Sequence, residues 1–133
     1  MILDTSAIIA ILFQEPEAQQ FSNAIEQDRD THISAGNYIE AAIVLDRARN
    51  PIVSRRLDEL IRDADISVEP VSVAQAKIAR EAYRDFGKGS GHPAQLNFGD
   101  CFAYALAVDT GQPLLFKGND FPQTGIRSAL ADR

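Results

Sequence analysis

The amino-acid sequence predicts an α/β protein, a three-layer sandwich in which a central parallel sheet of about four or five strands carries helices on both faces. The length of 133 residues is typical of one domain, so we expect a single domain over residues 1–133. An apolar fraction of 45% and a charged fraction of 24% match globular chains and exclude disorder and coiled coils. Short apolar runs alternate with amphipathic helical stretches, the order that builds a parallel sheet covered on both faces.

The first part of the chain begins with a strand. Residues 1–3 are apolar and end at Asp4, which predicts a short buried strand. The apolar stretch 7–13 is too short to span a bilayer and lacks the basic segment of a signal peptide, so it belongs to the fold. Pro16 stands where a first-turn proline opens a helix that runs through Ile25.

The middle of the chain alternates between strand and helix. Residues 31–34 predict a second strand. Apolar side chains at helical spacing predict a helix over 38–49, which Pro51 ends, and another over 53–64. Residues 66–71 predict a third strand.

The last part repeats this alternation. A stripe of small residues predicts a helix over 73–86, and three glycines and a proline make 87–93 a loop. A further helix over 98–109 is closed by Gly111, where a glycine in the left-handed conformation is favoured. Residues 114–116 predict the final strand.

Charge and cysteine content limit the classes of function. The net charge of −6 argues against a protein whose whole surface attracts nucleic acid, but it allows a local basic rim around an acidic pocket that binds metal. One cysteine, Cys101, cannot form an internal disulfide and has no second cysteine or histidine at metal-binding spacing. We expect a soluble cytoplasmic protein without membrane contact, in which Cys101 is a small buried residue.

Two acidic residues follow the first and the last predicted strand. Asp4 comes directly after the first strand, and Asp120 lies three residues after Lys117, at the end of the last strand. Ligands of open parallel sheets bind outside the carboxyl ends of the strands. Both acids are therefore expected at the same edge of the sheet.

Two further acids stand three residues after an asparagine. Glu40 follows Asn37 and Asp100 follows Asn97, a spacing that places each acid in the first turn of a helix with the asparagine as N-cap. Taken singly, every acid also fits a structural role as a capping box, a helix cap or an Asx turn. Taken together, four carboxylates without cationic partners would repel one another, and a hard divalent cation such as Mg²⁺ or Mn²⁺ relieves that repulsion.

Four segments resemble the motifs of PIN-domain nucleases, in particular the VapC toxins of bacterial type II toxin–antitoxin pairs. They are MILDTSA at 1–7, NYIE at 37–40, LNFGDCFAY at 96–104 and LLFKGNDF at 114–121. The resemblance implies a PIN-like, Rossmann-like sandwich and a Mg²⁺-dependent endoribonuclease that a VapB antitoxin inhibits and that is commonly a homodimer. Its RNA substrate is expected to be of the tRNA or rRNA class.

The resemblance also implies which residues hold the metal. Asp4 and Asp100 are expected to bind the principal ion, while Glu40 and Asp120 complete a second site or orient the attacking water. Relatives often carry an acid where this chain has Gly125, so a fifth carboxylate is absent. The polar neighbours expected beside the ligands are Thr5, Ser6 and Asn119.

Hydrolysis by a water held at this acidic cluster would leave a 5′-phosphate and a 3′-hydroxyl. Histidine is not required, because neither His32 nor His92 has an evident carboxylate partner, and a histidine-based ribonuclease would leave a 2′,3′-cyclic phosphate. The residues that could contact RNA phosphates are Lys117, Lys88, Arg84 and His92, each of which also fits a solvated surface charge. Tyr38, Phe98 and Phe121 flank the acids and could stack on bases, but for Phe98 and Phe121 packing in the core is the expected use.

Other functions remain open on the sequence alone. A receiver-like phospho-accepting domain needs an acidic pair after the first strand, where this chain has Thr5, and a haloacid-dehalogenase-type phosphatase needs an acid where it has Ser6. A catalytically silent PIN-fold binding module also fits the sequence. The apolar residues that could form a dimer contact are Leu12, Phe13, Leu57, Leu60 and Ile61.

Overall fold

A computed structural model describes residues 1–130, so residues 131–133 of the predicted single domain lie outside the described residues. Its four parallel strands have the order β3-β2-β1-β4, and helices cover both faces, which confirms the predicted α/β three-layer fold. The strands are β1 (Ile2–Leu3), β2 (His32–Ser34), β3 (Ser67–Glu69) and β4 (Leu114–Leu115).

Six α-helices and one 3₁₀ helix accompany these strands in residues 1–130. Pro51 begins a helix instead of ending one, because the first helical position needs no N–H donor. Gly111 closes the last α-helix with φ 69°, as predicted. Within the described residues, no helix has the length and apolarity needed to cross a membrane. The helices are α1 (Thr5–Leu12), α2 (Ala18–Gln27), α3 (Ala35–Arg47), α4 (Pro51–Asp63), α5 (Val73–Phe86), α6 (Phe98–Thr110) and the 3₁₀ helix Phe121–Thr124.

The two faces of the sheet bury separate apolar clusters. Leu3 and Leu115 belong to the cluster that packs under α1 to α4, whereas Ile2 and Leu114 belong to the cluster under α5 and α6. Neighbouring residues of a strand point to opposite faces, so each two-residue strand contributes one side chain to each layer. This packing fixes the carboxyl edge of β1 and β4, from which Asp4 and the segment leading to Asp120 emerge.

Helix α3 begins earlier than predicted. Strand β2 passes directly into α3, and the Ser34 hydroxyl accepts a hydrogen bond from the Gly36 N–H at 3.2 Å. The prediction that Asn37 caps this helix is wrong, because Ser34 already does so three residues upstream. Glu40 is consequently the sixth residue of α3 and does not lie in its first turn.

The residues predicted to form a dimer contact are largely internal. Leu12 and Leu57 are buried in the core, Leu60 and Ile61 pack against it, and Phe13 alone among them is exposed. Phe121 is buried as predicted, but the prediction that Phe98 packs in the core is wrong, since it is 75% exposed. The exposed apolar side chains of α3, α5 and α6 are Ile39, Ile43, Val44, Val73, Tyr83, Phe98 and Val108.

Candidate active site

A cleft of about 410 Å³ opens at the carboxyl edge of the sheet. Three of the four predicted acids, Asp4, Glu40 and Asp100, line it. They come from the start of α1, the second turn of α3 and the first turn of α6. The other lining residues are Thr5, Ser6, Ile9, Glu15, Val44, Asn97 and Lys117.

Asp4 is the most deeply buried of these acids, with 3% of its surface exposed. Its Oδ2 accepts a hydrogen bond from the Ser6 N–H at 3.0 Å and thereby caps α1, whereas its Oδ1 is buried and has no hydrogen-bond partner among the described residues. Burial raises the pKa of Asp4 to about 7, and repulsion from Asp100 and Glu40 adds to the rise, although the bond from Ser6 opposes it. Near neutral pH, Asp4 is therefore protonated in about half of the metal-free molecules.

Asp100 is oriented by the capping box of α6. The Asp100 N–H donates to Asn97 Oδ1 at 2.8 Å, and the Asn97 N–H donates to Asp100 Oδ2 at 2.9 Å, so the predicted cap is confirmed. Partial burial raises the pKa of Asp100 against the effect of the Asn97 bond. Repulsion from Asp120 and Glu40 raises it further, while Lys88 lowers it.

Glu40 and Asp120 are the other two acids of the group. The Glu40 carboxyl lies against Gly99, where a Cβ would overlap it. Asp120 is exposed at the start of the 3₁₀ helix and does not line the cleft, but its charge acts on Asp100. The structure thus brings together all four predicted acids, three in the cleft and one at its rim.

The predicted hydroxyl neighbours join the elements around the cleft. The Ser6 hydroxyl accepts from the Lys117 N–H at 2.9 Å and so holds the segment after β4 beside α1. The Thr5 hydroxyl accepts from Asn37 Nδ2 at 3.0 Å. Asn119 is exposed in the loop before Asp120.

The four acids offer carboxylate oxygens, the ligands that hard divalent cations prefer. As they stand, their side chains are not placed to surround one ion together. Within residues 1–130, no three carboxylate, imidazole or thiol groups already form a metal-binding set. Asp4 Oδ1 nevertheless lies buried beside other carboxylates without a donor of its own, and none of the four acids forms an ion pair within the described part of the chain. Oxygen-only ligands that keep some water suit Mg²⁺ and Mn²⁺.

The four predicted RNA contacts differ in their surroundings. Lys88 is exposed and its charge reaches Asp100. Lys117 lines the cleft but forms ion pairs with Glu15 and Glu17, each at 3.0 Å. Because Lys117 and Glu15 lie 102 positions apart, no spacing along the chain predicts the contact. Arg84 pairs with Asp85 at 2.9 Å.

The structure corrects one prediction about the histidines and confirms one about the cysteine. His32 does have carboxylate partners, because Nδ1 lies 2.8 Å from Glu69 at the end of β3 and Nε2 lies 2.6 Å from Asp30 just before β2. His92 accepts from the backbone N–H of Ala94 through Nδ1. Cys101 is buried, and this burial raises the pKa of its thiol to about 11, so it is a small packed residue as predicted.

Comparison with known proteins agrees with this geometry. The family model described as PIN domain matches residues 1–126. Ribonuclease VapC28 of Mycobacterium tuberculosis is 56% identical over 133 residues, which cover all of both chains. Ribonuclease VapC42 of the same organism is 50% identical over 129 residues, covering 97% of this chain and 98% of the relative. The crystal structure of M. tuberculosis VapC20, titled a Sarcin-Ricin loop cleaving toxin, superposes with a TM-score of 0.75 and 16% identity, covering 94% of this chain and 95% of that one.

Proposed function

Because this chain belongs to the PIN-domain family and is a VapC-type toxin with hydrolytic endoribonuclease activity, we propose that Asp4, Glu40, Asp100 and Asp120 form its catalytic metal site. The observation that carries the proposal is the buried Asp4 Oδ1, which has no hydrogen-bond donor among the described residues and lies beside other carboxylates. Membership of a ribonuclease family argues against the receiver-like and phosphatase alternatives. We also propose that residues 1–133 form one PIN domain.

Mg²⁺ is the proposed cofactor, with Mn²⁺ as a substitute. Asp4 and Asp100 would hold the principal ion, and Glu40 and Asp120 would complete a second site or orient the attacking water. When bound, the ion supplies charge stabilisation at the scissile phosphate and a lowered pKa for a coordinated water.

The residues of the chain prepare this site. The Ser6 N–H fixes Asp4 through Oδ2 and leaves Oδ1 directed away from that bond, while the Asn97 N–H does the same for one oxygen of Asp100. Asp4 would give up its proton when a cation binds, because its pKa of about 7 belongs to the metal-free protein. Thr5 and Ser6 hold the surrounding elements together, and Asn119 precedes Asp120 in the same loop.

We propose a structured tRNA or rRNA as the substrate, cleaved in the cytoplasm. The names of the relatives as ribonucleases support an RNA substrate, and the unpaired, buried Cys101 fits a reducing compartment. Lys88, Lys117, Arg84 and His92 would contact RNA phosphates, with Lys88 the strongest because its charge already reaches Asp100.

We propose that a VapB-type antitoxin inhibits the enzyme by covering the groove between α3 and α6. This groove of about 390 Å³ is lined by Ile39, Ile43 and Phe102, and Glu40 lines both the groove and the acidic cleft. An apolar segment bound there would therefore block access to the acids. Ile43→Glu should weaken inhibition by the antitoxin, whereas Ile52→Glu, on an exposed apolar residue of α4, should not.

We propose that a second copy of the chain binds the groove between α5 and α6. Phe98 is exposed and lines this groove of about 440 Å³, so two copies related by a two-fold axis could each place Phe98 against the groove of the other. Ala76→Arg places a charge in the groove and should yield a monomer in light scattering. Val108→Arg, outside the groove, should leave the dimer intact.

Cleavage assays test the proposed catalytic site. Purified protein is incubated with total tRNA and rRNA in Mg²⁺, in Mn²⁺ or in EDTA, and the cut ends are mapped. We expect cleavage with either metal, none in EDTA, and products with a 5′-phosphate and a 3′-hydroxyl. Cleavage in EDTA, or products with a 2′,3′-cyclic phosphate, would overturn the proposal.

A further inference from the structure

Asn37 is a fully buried amide side chain in the third position of α3, between the elements that carry the acids. It does not cap its own helix, since Ser34 has that role. A buried amide inside a helix must find partners elsewhere or lose free energy. Its partners identify what it does.

One nitrogen of Asn37 connects three elements. Nδ2 donates to the Thr5 hydroxyl at 3.0 Å and to the Gly99 carbonyl oxygen at 3.0 Å. Thr5 follows Asp4 in α1, and Gly99 precedes Asp100 in α6. Because Glu40 lies one turn further along α3, the same side chain ties together the backbone segments that present Asp4, Glu40 and Asp100.

The orientation of this amide is fixed by its partners. The Gly99 carbonyl can only accept a hydrogen bond, so the nitrogen must face it. The amide oxygen then lies buried, and nothing among the described residues donates to it. A buried acceptor without a donor lowers the stability of the fold. Asn37 therefore makes both bonds through Nδ2, while its Oδ1 is left without a bond among residues 1–130.

The bond from Asn37 to Gly99 crosses a close approach of α3 and α6. The Glu40 carboxyl lies where a Cβ of residue 99 would be, so Gly99 must stay at a short distance from α3 without a side chain of its own. Hydrogen bonds from Asn37 to both neighbours hold this spacing.

We propose that Asn37 is a positioning residue that sets the relative placement of Asp4, Glu40 and Asp100 and thereby the affinity for the divalent cation. The inference rests on the proposed metal site. Asn37 acts through Thr5 and Gly99 and does not itself bind the cation, because its amide is buried and bonded to these two residues.

Two variants test the role of Asn37. Asn37→Leu keeps the volume and removes both side-chain bonds. Thr5→Val removes one acceptor of the amide, together with the longer bond of 3.4 Å that the Thr5 hydroxyl donates to the Asn37 carbonyl oxygen, while the Asn37 side chain stays in place. The matched control is Gln75→Met, which removes another buried amide, bonded to Asp109 at 3.1 Å and joining α5 to α6. Calorimetric titration of each metal-free protein with Mn²⁺ gives the affinity, thermal unfolding gives the stability, and RNA cleavage separates kcat from KM.

We expect Asn37→Leu to bind Mn²⁺ about tenfold more weakly and to lower kcat with little change in KM for RNA, because loss of a residue that orients metal ligands has an effect of this size. Thr5→Val should weaken Mn²⁺ binding by about threefold, as one of the two bonds remains. Gln75→Met should lose stability without losing Mn²⁺ affinity.

Unchanged Mn²⁺ affinity in a folded Asn37→Leu protein would overturn the positioning role. If that variant does not fold, unchanged affinity in Thr5→Val would do so. If the unaltered protein binds no Mn²⁺ at all, the failure lies with the proposed metal site, and the two failures are thus distinguished.

Discussion

The acidic residues near the amino ends of the strands have cationic partners, whereas the acids of the proposed metal site have none among residues 1–130. Near the amino ends, the amine of Met1 lies 3.1 Å from Asp28, and His32 at the start of β2 contacts Asp30 and reaches Glu69 at the end of β3. At the carboxyl edge, Lys117 pairs with Glu15 and Glu17, but none of the four proposed metal ligands forms an ion pair within the described residues. The charge of the first group is balanced, and that of the proposed ligands is not.

The pKa values reflect this difference. Burial alone would raise the pKa of Asp28, but the hydrogen bond from Asp30 and the amine of Met1 hold it below the usual value. Burial and mutual repulsion raise the pKa values of Asp4 and Asp100. The amino edge therefore contributes to folding, whereas the carboxyl edge gives up stability for a site that favours a cation.

The largest difference is expected in RNA cleavage, when one acid at each edge is replaced by its amide. Asp100→Asn should lower Mg²⁺-dependent RNA cleavage by about a hundredfold or more, since a ligand is lost while the capping oxygen remains. Asp30→Asn, at the amino edge, should cleave RNA like the unaltered protein. The measurement is the rate of cleavage at saturating Mg²⁺, with circular dichroism to show that both variants are folded. Retained cleavage by a carefully purified Asp100→Asn protein would contradict the assignment.

Stability should respond with opposite signs at the two edges. The pKa of Asp4 in the folded protein, about 7, exceeds its ordinary value of 3.8, so the folded metal-free state binds more protons and loses stability as pH rises from 4 to 7. Asp4→Asn removes this loss and keeps the cap, so at pH 8 it should raise the free energy of unfolding by up to about 4 kcal/mol.

The gain of Asp4→Asn should shrink towards zero near pH 4. Asp28→Asn should instead lose a little stability at pH 8, because it gives up the contact with the Met1 amine. Urea denaturation in EDTA at several pH values measures both effects. A loss of stability in Asp4→Asn at pH 8 would contradict the prediction, because it would mean that the buried Asp4 carboxylate stabilises the fold.

His32 gives the amino edge a smaller pH dependence in the same direction as that of Asp4, because both pKa values are raised in the folded state. Burial opposes its charge, but the bonds to Glu69 and Asp30 raise the pKa of His32 above 6.5. Its stabilisation is therefore fully present below pH 6.5 and disappears as pH rises through the raised pKa. His32→Gln should cost about 1 kcal/mol at pH 5.5 and less at pH 8. A cost that grows with pH in urea denaturation would contradict this.

The smallest effect is expected from one cation near the acids. Lys88→Gln should raise KM for RNA by about threefold, because one phosphate contact is lost. For the same reason, the slope of log affinity against log salt concentration should decrease in magnitude by about one. Arg29→Gln replaces an exposed cation just before β2, at the amino edge, and should change neither. Cleavage assays at several salt concentrations compare the two. Equal effects of both changes would mean that RNA responds only to overall charge.

Much of the fold could be predicted because it depends on local patterns. The helix α5 and the glycine that ends α6 follow from the spacing of small residues and the conformational freedom of Gly111. The start of α3 could not be predicted, because Ser34 and Asn37 are both good caps and only the position of β2 decides between them. Phe98 was misplaced since an aromatic side chain in an apolar helix does not reveal which face meets solvent.

The positions of the four proposed acids could be predicted from the sequence, but the contacts around them could not. Asp4 and Asp120 follow strands and Asp100 follows an asparagine cap, whereas Glu40 was chosen from its spacing to Asn37, which does not cap α3. The bonds from Asn37 to Thr5 and Gly99 join residues 32 and 62 positions apart, and the contact of His32 with Glu69 joins residues 37 positions apart. Such contacts depend on tertiary packing and leave no spacing signal.

The central claim is that the unbalanced acids of the carboxyl edge bind one or more divalent cations. Crystals soaked in manganese and measured at an anomalous wavelength test it most directly. We predict a manganese peak bonded to Asp4 Oδ1 and to the carboxylate of Asp100, and no such peak in Asp4→Asn crystals. An empty cleft at saturating manganese, with Asp4 and Asp100 still bound only to the Ser6 and Asn97 amides, would contradict the account.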